Sequence, residues 1–565
     1  MGTLPGPSTY QQAILDHLAR PGGHVVIHAT AGAGKTTVLT QIAAAQPSRS
    51  RQLYLAFARD AANELRRRLP PLVDTRTVHS LGRQVLAHDL AATASQLLPP
   101  QPDKYRRLAR NLLEERLPQL ASGDAAYFLS ELAGIVRLQL IEPDDERSVV
   151  EAATEAGLWL PARPEAAPAI SALLPELIGR GLNQTERGLV DFTDMLYAPV
   201  MRRLSVPPFD LVCIDEAQDY SAAALELTLA LAAAGARLVF VGDPRQSIFG
   251  FAGARPDAMQ LIAKRLTATV LPLSVTYRCP RVHVELAREI APEMESAPQA
   301  AAGLVAVITD EELESWVQPG DLILCRLNAP LMAACLRITR QGLAAHLRGA
   351  DLRDRLVRLA STVFRSGISQ PQHRISSHFA AEEARLLDAD PGAAGPSLGR
   401  LKDELSCLEV LCGTNRVDWP DSLPNLEERI MSMFGGSKGA VVLSSVHRAK
   451  GQEADRVALL YPELMPATHA RSLLALRGEA CVQFVALTRA KRELVFVRAS
   501  EGDLPRLPEP PEDLSAEDAE RDAILRAWQR VLSLASAGRR HRGQPGRSTI
   551  TRVGRTGRAS ARPGR

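Results

Sequence analysis

Apolar positions follow two alternating patterns along the chain. Continuous apolar runs that stop at Gly or Asp occupy 24–29 (HVVIHA), 53–57 (LYLAF), a short stretch around Thr77, 211–216 (LVCIDE) and 237–243 (RLVFVGD). A second set follows at 269–275 (TVLPLSV), 321–326 (DLILCR), 440–446 (AVVLSSV), 455–461 (DRVALLY) and 494–499 (LVFVRA). Strands that are apolar on both faces belong in parallel sheets covered by helices on each side, so each set predicts an α/β lobe. Segments 91–186 and 346–436 lack such runs. Leu, Ala, Arg and Glu recur there at helical spacing, which predicts a helical insertion in each lobe. The predicted division is 1–90 with 187–268 as first lobe, interrupted by 91–186. The second lobe is 269–345 with 437–502, interrupted by 346–436. From 503 onward a Pro-rich acidic linker leads to a possible helix, with Ser515 as its N-cap and Asp518 three residues on.

The candidate chemistry sits where these runs end. The strand at 24–29 opens into ATAGAGKTT, a turn of small residues before a helix. Ala31, Gly32, Ala33 and Gly34 let backbone N–H groups approach phosphate oxygens. Lys35 supplies a charge for the β- and γ-phosphates, the Thr36 hydroxyl can ligate Mg²⁺, and the helix offers its positive end. Ala29 stands where the strict pattern has Gly, a small and sterically harmless change. Far downstream, the strand at 211–214 ends in Asp215 and Glu216. Acids at the end of a buried strand are expensive unless they have a partner or a task. Asp215 suits Mg²⁺, and Glu216 suits the attacking water of a phosphoryl transfer.

DEAQD (215–219) with VGDPRQSIFGFAGA (241–254) closely resembles the superfamily 1 helicases of the UvrD/Rep/PcrA group, and further motifs fall in that family's order. TYQQAI carries Gln11 in the place of the adenine-reading Gln, with Gln12 as the register alternative. LAFARDAANELRRRL (55–69) and TVHS (77–80) resemble the family's first two DNA-contacting motifs, and DFTDM (191–195) its DFxDL element. LSVTYRCP (273–280), SSVHRAKGQEADRV (444–457) and FVALTRAK (484–491) resemble its second-lobe motifs. The resemblance spans about residues 8–500.

It implies two RecA-like, parallel-sheet P-loop NTPase lobes of α/β class that use ATP and Mg²⁺. Arg278 and Arg489 become fingers toward the γ-phosphate, Gln246 a γ-phosphate sensor, Tyr277 an adenine stacker and Glu453 a ribose contact. Phe249 and Phe251 become base-stacking residues on single-stranded DNA. Phe57, Arg59, Thr77 and His79 are further DNA contacts, and His447 couples the two sites. Thr37 stands where well-studied members have an Arg that packs on the base. Phe251 and Ala252 stand where many members have Trp and Arg. The implied activity is DNA-stimulated ATP hydrolysis driving 3′→5′ movement and strand separation in DNA repair or recombination. The expected partners are single-stranded DNA, single-strand/duplex junctions and a protein loading partner. Insertions of about 90 residues look short for the family, which keeps open a translocase that displaces proteins and unwinds little. A third reading is an ATPase subunit of a larger repair complex; a catalytically silent scaffold there predicts a damaged phosphate loop or missing fingers, whereas Lys35, Thr36, Asp215, Glu216, Arg278 and Arg489 are all present.

Composition changes this picture little. The net charge of +3 conceals a basic tail, since 539–565 holds nine Arg and no acid. That tail reads either as a solubilising extension or as a nucleic-acid tether. Seven scattered Cys without metal spacing predict reduced, buried thiols. No signal peptide and no membrane span is expected, and the expected location is cytoplasmic, at the nucleoid.

Overall fold

The computed structural model describes residues 7–90, 99–156, 158, 164–248, 257–365, 367–389, 394–413, 419–436, 439–468, 470, 472–498 and 515–537. The strands of the first sheet are β1 (Val25–Ala29), β2 (Gln52–Ala56), β3 (Asp74–Thr77), β4 (Leu211–Ile214), β5 (Arg237–Gly242) and β6 (Thr269–Leu273). They lie parallel in the order β3-β2-β4-β5-β1-β6. Alternate residues serve opposite faces. Val26, Leu53, Leu55, Val212, Ile214, Leu238 and Phe240 enter one core. Val25, Ile27, Tyr54, Leu211, Cys213, Val239 and Val241 enter the other. Burial on both faces is the physical reason that these strands read as continuous apolar runs.

A short parallel pair, β7 (Val275–Thr276) and β8 (Glu295–Ser296), leads to the second sheet. Its strands are β9 (Leu304–Thr309), β10 (Leu322–Cys325), β11 (Ala345–Leu347), β12 (Val441–Ser445), β13 (Ala454–Leu460) and β14 (Ala490–Arg498). Their order is β11-β12-β10-β13-β14-β9, again parallel. The lobes are thus two doubly covered parallel sheets, as expected.

One expected boundary shifts. The run at 269–275 was placed at the head of the second lobe, but β6 pairs with β1 from Val25↔Thr269 to Ala29↔Leu273 and closes the first sheet. Its exposed outer positions, Thr269, Val270 and Pro272, mark it as an edge strand.

The insertions are helical. The first contains helices Lys104–Arg116, Gly123–Gln139, Glu146–Glu155 and Leu174–Thr185 around their own core, which includes Leu112, Leu129, Leu132 and Leu177. The second contains Ala350–Val363, Pro371–Ala389, Ala394–Cys412 and Leu423–Met433. Its Leu356, Cys407, Leu408 and Ile430 share one core with Ile323, Val441 and Val495 of the second sheet. The helix Ala516–Ala537 begins as read, with Asp518 N–H donating to Ser515 Oγ at 3.2 Å. Trp528, Val531, Leu532 and Ala535 bury it against the second lobe, and Trp528 Nε1 donates to the Pro462 carbonyl at 3.0 Å. All seven cysteines are buried thiols. Among the described residues no helix is long and apolar enough to cross a membrane.

Candidate active site

The sheet order sends β1, β4 and β5 out at one carboxyl edge, the usual ligand edge of an open parallel sheet. After β1 the chain turns through Gly32 (φ 71°) and Gly34 (φ 82°) into the helix Lys35–Ala45. Both glycines hold the left-handed conformation that side chains disfavour. Gly32 is also crowded, since a Cβ there would lie 2.5 Å from Arg278 Cβ and 2.8 Å from Thr276 Oγ1. The Tyr277 amide donates to the Gly32 carbonyl at 2.9 Å, so the loop is stitched to the segment that opens the second lobe. Ala31 and Ala33 are buried, whereas Thr36 and Thr37 are half-buried on the first helical turn. Gln11 is buried, and its Nε2 would lie 3.4 Å from a Cβ on Gly34. Gln12 instead bonds Asp16 on the exposed side of its helix at 2.7 Å. Of the two, Gln11 is the one that lies beside the phosphate loop.

Lys35 Nζ meets Glu216 Oε1 at 2.6 Å. Burial opposes the Lys35 charge, yet Glu216, Asp215 and Asp243 hold its affinity for the proton above the ordinary value. Glu216 sits at φ 51°, an uncommon place for a residue with a side chain and a form of strain found at functional sites. Burial works against the Glu216 charge, but Lys35 and Lys450 prevail and keep it ionised. Asp215 is pushed the other way by burial and then by Glu216. Two adjacent carboxylates are thereby separated in character. Gln218 joins Glu216 to the next strand end, with Nε2 donating to Glu216 Oε2 and Oε1 accepting from the Asp243 amide at 3.0 Å. Gly242 makes room for this, since a Cβ there would lie 2.3 Å from Gln218 Oε1. Gln246 Nε2 donates to Asp243 Oδ2 at 2.5 Å, and burial lifts the Asp243 carboxyl to about 6.

The second lobe reaches into this cluster through Lys450. Its Nζ donates to both oxygens of Asp219, at 2.7 and 2.6 Å, and to the Gln246 carbonyl at 2.5 Å. Neither Lys450 nor Asp219 was singled out from the sequence, although both lie within quoted motifs. Asp243 and Gln218 were missed likewise. Arg278 and Arg489 flank the cleft. Arg278 packs on Gly32 and pairs through Nε with Glu453, which also pairs with Lys491 at 3.1 Å. Arg489 is buried, donating to the carbonyls of Val485 at 2.9 Å and Gln452 at 3.3 Å. Burial and the neighbouring Arg278 bring its proton affinity down to about 10. Glu453, expected at a ribose, is therefore engaged with two cations. Tyr277 presents an exposed ring beside the phosphate loop. His447 is driven down to about 4 by burial and then by Arg326, so it is neutral at pH 7.

Four of the expected nucleic-acid contacts, Phe57, Arg59, Thr77 and His79, lie at or just after the ends of β2 and β3 on the same sheet edge. Ala56↔Thr77 are register partners, so Phe57 and the helix Val78–Asp89 follow directly from neighbouring strand ends. Phe57 and Arg59 are exposed, and Thr77 caps the helix Val78–Asp89 through the Ser80 amide at 3.2 Å. His79 lies edge-on to Phe192, with centroids 6.4 Å apart and planes at 77°. Phe192 is 55% exposed and was not singled out from the sequence; the signal available was an aromatic set between two acids in DFTD (191–194). Phe249, Phe251 and Ala252 lie outside the described residues.

Comparison with known proteins agrees with this arrangement. Residues 8–267 match the UvrD/REP helicase N-terminal domain, and residues 417–501 match the UvrD-like helicase C-terminal domain. The chain is 25% identical over 549 residues to the ATP-dependent DNA helicase UvrD2 of Mycobacterium tuberculosis, covering 84% of this chain and 76% of that protein. It is 24% identical over 558 residues to F-box DNA helicase protein 1 of Schizosaccharomyces pombe, covering 87% of this chain and 57% of that one. DNA helicase II of Haemophilus influenzae is 25% identical over 293 residues, covering 46% of this chain and 37% of its own. With both domain matches in chain order on two parallel-sheet lobes, the protein belongs to the UvrD/Rep-type superfamily 1 helicases, a family of ATP-hydrolysing enzymes.

Proposed function

We propose that this chain is a single-stranded-DNA motor that hydrolyses ATP between its lobes, moves 3′→5′ and separates strands at single-strand/duplex junctions. The direction follows the family resemblance, and work in DNA repair or recombination follows it too. The observation that carries the reading is the cross-lobe contact of Lys450 with Asp219 and the Gln246 carbonyl. It ties the second lobe to the strand-end cluster that holds Glu216, so lobe movement and the hydrolytic site cannot be independent.

In this reading Lys35 and the loop amides of 31–34 hold the phosphates, with Gln11 and Tyr277 at the base. Glu216 orients the attacking water. Arg278, Arg489 and Gln246 complete the γ-phosphate site when the lobes close on nucleotide, which requires Arg278 to exchange Glu453 for phosphate. Asp215 and Thr36 fit Mg²⁺. A deeply placed carboxylate with a raised proton affinity is a group that a divalent cation would relieve. When bound, the ion supplies charge neutralisation at the β- and γ-phosphates. Single-stranded DNA lies across Phe57, Arg59, Thr77, His79 and Phe192, and the family resemblance gives Phe249 and Phe251 a base-stacking role as well.

The test is a strand-separation assay on duplexes bearing either a 3′ or a 5′ single-stranded tail. ATP-dependent separation with the 3′ tail and not the 5′ tail supports the reading. Separation with the 5′ tail alone overturns the direction. Release of streptavidin from biotinylated single strands with no unwinding would favour the translocase instead.

A further inference from the structure

Four charged side chains lie buried where the first insertion meets its lobe, and the nucleotide chemistry uses none of them. Lys104 and Asp194 side chains are 0% exposed, Arg137 2% and Asp191 10%. Lys104 Nζ spends its three protons on Asp194 Oδ2 (2.6 Å), the Gly181 carbonyl (2.8 Å) and Thr185 Oγ1 (2.9 Å). Arg137 NH1 donates to Asp191 Oδ1 (3.1 Å) and Asp194 Oδ1 (2.9 Å), and NH2 donates to Asp191 Oδ2 (2.9 Å). The Tyr105 ring covers the guanidinium at 3.5 Å, and its hydroxyl donates to Asp194 Oδ1 at 3.3 Å. Gly181 must lack a side chain, since a Cβ would lie 2.0 Å from the Tyr105 hydroxyl. Two cations and two anions leave the cluster neutral.

Both cations come from insertion helices, Lys104–Arg116 and Gly123–Gln139. Both acids come from the short turn that displays Phe192. That turn is closed on itself: the Asp191 amide donates to Asp194 Oδ2 at 2.9 Å and the Asp194 amide to Asp191 Oδ1 at 2.6 Å. The next helix, Asp194–Met201, abuts the His79-bearing helix Val78–Asp89 so closely that a Cβ on Gly82 would lie 1.7 Å from the Met195 carbonyl. Well-packed apolar groups commonly stabilise a fold as well as a buried ion cluster does, so such a cluster is better explained by the geometry it enforces. Here the enforced geometry is the backbone on either side of Phe192 and its setting against His79.

We propose that Lys104, Arg137, Asp191 and Asp194 form a positioning cluster through which the first insertion sets the Phe192–His79 surface, and with it the affinity for single-stranded DNA. The proposal rests on the DNA-motor reading above. It makes the insertion a lever on the DNA track as well as a separate helical unit. A shift of the insertion relative to its lobe must carry the acids, and hence Phe192, with it.

The test uses the full chain with Lys104→Met and Asp194→Asn combined, which keeps the cluster neutral, and Phe192→Ala alone and added to that pair. ATP hydrolysis is titrated with an oligothymidine, and folding is followed by a circular-dichroism melt. The expected result is a roughly five- to tenfold rise in the oligonucleotide concentration for half-maximal stimulation, in line with a weakened base contact. Turnover at saturating oligonucleotide stays within about twofold of wild type, as the KM-type nature of the effect requires. Phe192→Ala produces a similar rise, and the triple variant is no worse than Phe192→Ala, because the cluster acts through that ring. If the paired variant does not fold, Arg137→Lys, which keeps the charge but loses the fork to Asp191, carries the same titration. A folded variant with wild-type oligonucleotide dependence overturns the proposal, as do effects that multiply with Phe192→Ala. An inert Phe192→Ala overturns it while leaving the motor reading standing. Absence of stimulation in wild type overturns both.

Discussion

Replacing Lys450 by Met removes one of the contacts between the lobes and leaves Asp219 without its cation. The pair is buried, with Lys450 9% and Asp219 2% exposed. Removing one partner of such a pair costs about 3–5 kcal/mol when the other must stay charged. Asp219 has an escape. Burial already lifts it to about 6 despite Lys450, so without that cation it rises further and takes up a proton near neutral pH. Each unit between that value and the working pH is about 1.4 kcal/mol, so protonation limits the penalty on the closed arrangement to about 1–3 kcal/mol. DNA-saturated turnover of Lys450→Met should fall roughly five- to a hundredfold, the fold-change for that range. An acid whose proton affinity is raised in the assembled state binds more protons there, so the assembled state gains as pH falls. The Lys450→Met defect should therefore shrink between pH 8 and pH 6. Asp219→Asn added to Lys450→Met removes the orphaned charge and should recover part of the loss. Steady-state ATP hydrolysis at saturating oligonucleotide is the assay. Wild-type turnover in Lys450→Met, or a double variant no better than the single one, would refute the reasoning.

Glu216→Gln should lower turnover by about a hundredfold or more while nucleotide still binds, checked by hydrolysis beside equilibrium binding of a fluorescent ATP analogue. Gly32→Ala places a Cβ at φ 71° and 2.5 Å from Arg278 Cβ, so it should weaken nucleotide binding and separate the loop from the second lobe, read by the same titration. Trp528→Ala should cost about 3–5 kcal/mol of helix docking and make the segment 516–537 sensitive to protease, read by limited proteolysis. Proteolysis no faster than in wild type would count against the docking.

The fold was legible where burial left a mark on composition. β1, β2, β4 and β5 are buried on both faces, so their sequences are unbroken apolar runs. β9 escaped notice because it is a sheet edge in which Val307 alone is buried, and β11 because it is three residues long. β6 was recognised as a strand and given to the wrong sheet, since a strand's sequence does not encode its hydrogen-bonding neighbour. The last helix could be read with its cap at Ser515, but the surface that receives Trp528, Val531 and Leu532 is built from residues far upstream, among them Pro462. The site behaved likewise. Loops that bind phosphate need Gly, Lys and Thr in tight local order, and these could be read directly. Pairings between residues far apart in the chain, Lys450 with Asp219 across 231 positions and Lys104 with Asp194 across 90, depend on the assembled fold and left no local pattern.

The central claim is that ATP hydrolysis in this chain is driven by single-stranded DNA. The most direct measurement is the ATP hydrolysis rate with and without oligothymidine, for wild type and Lys35→Ala side by side. The account predicts strong stimulation in wild type, and none in Lys35→Ala, which should still bind the oligonucleotide. Equal rates with and without DNA in wild type, or full stimulation in Lys35→Ala, would contradict it.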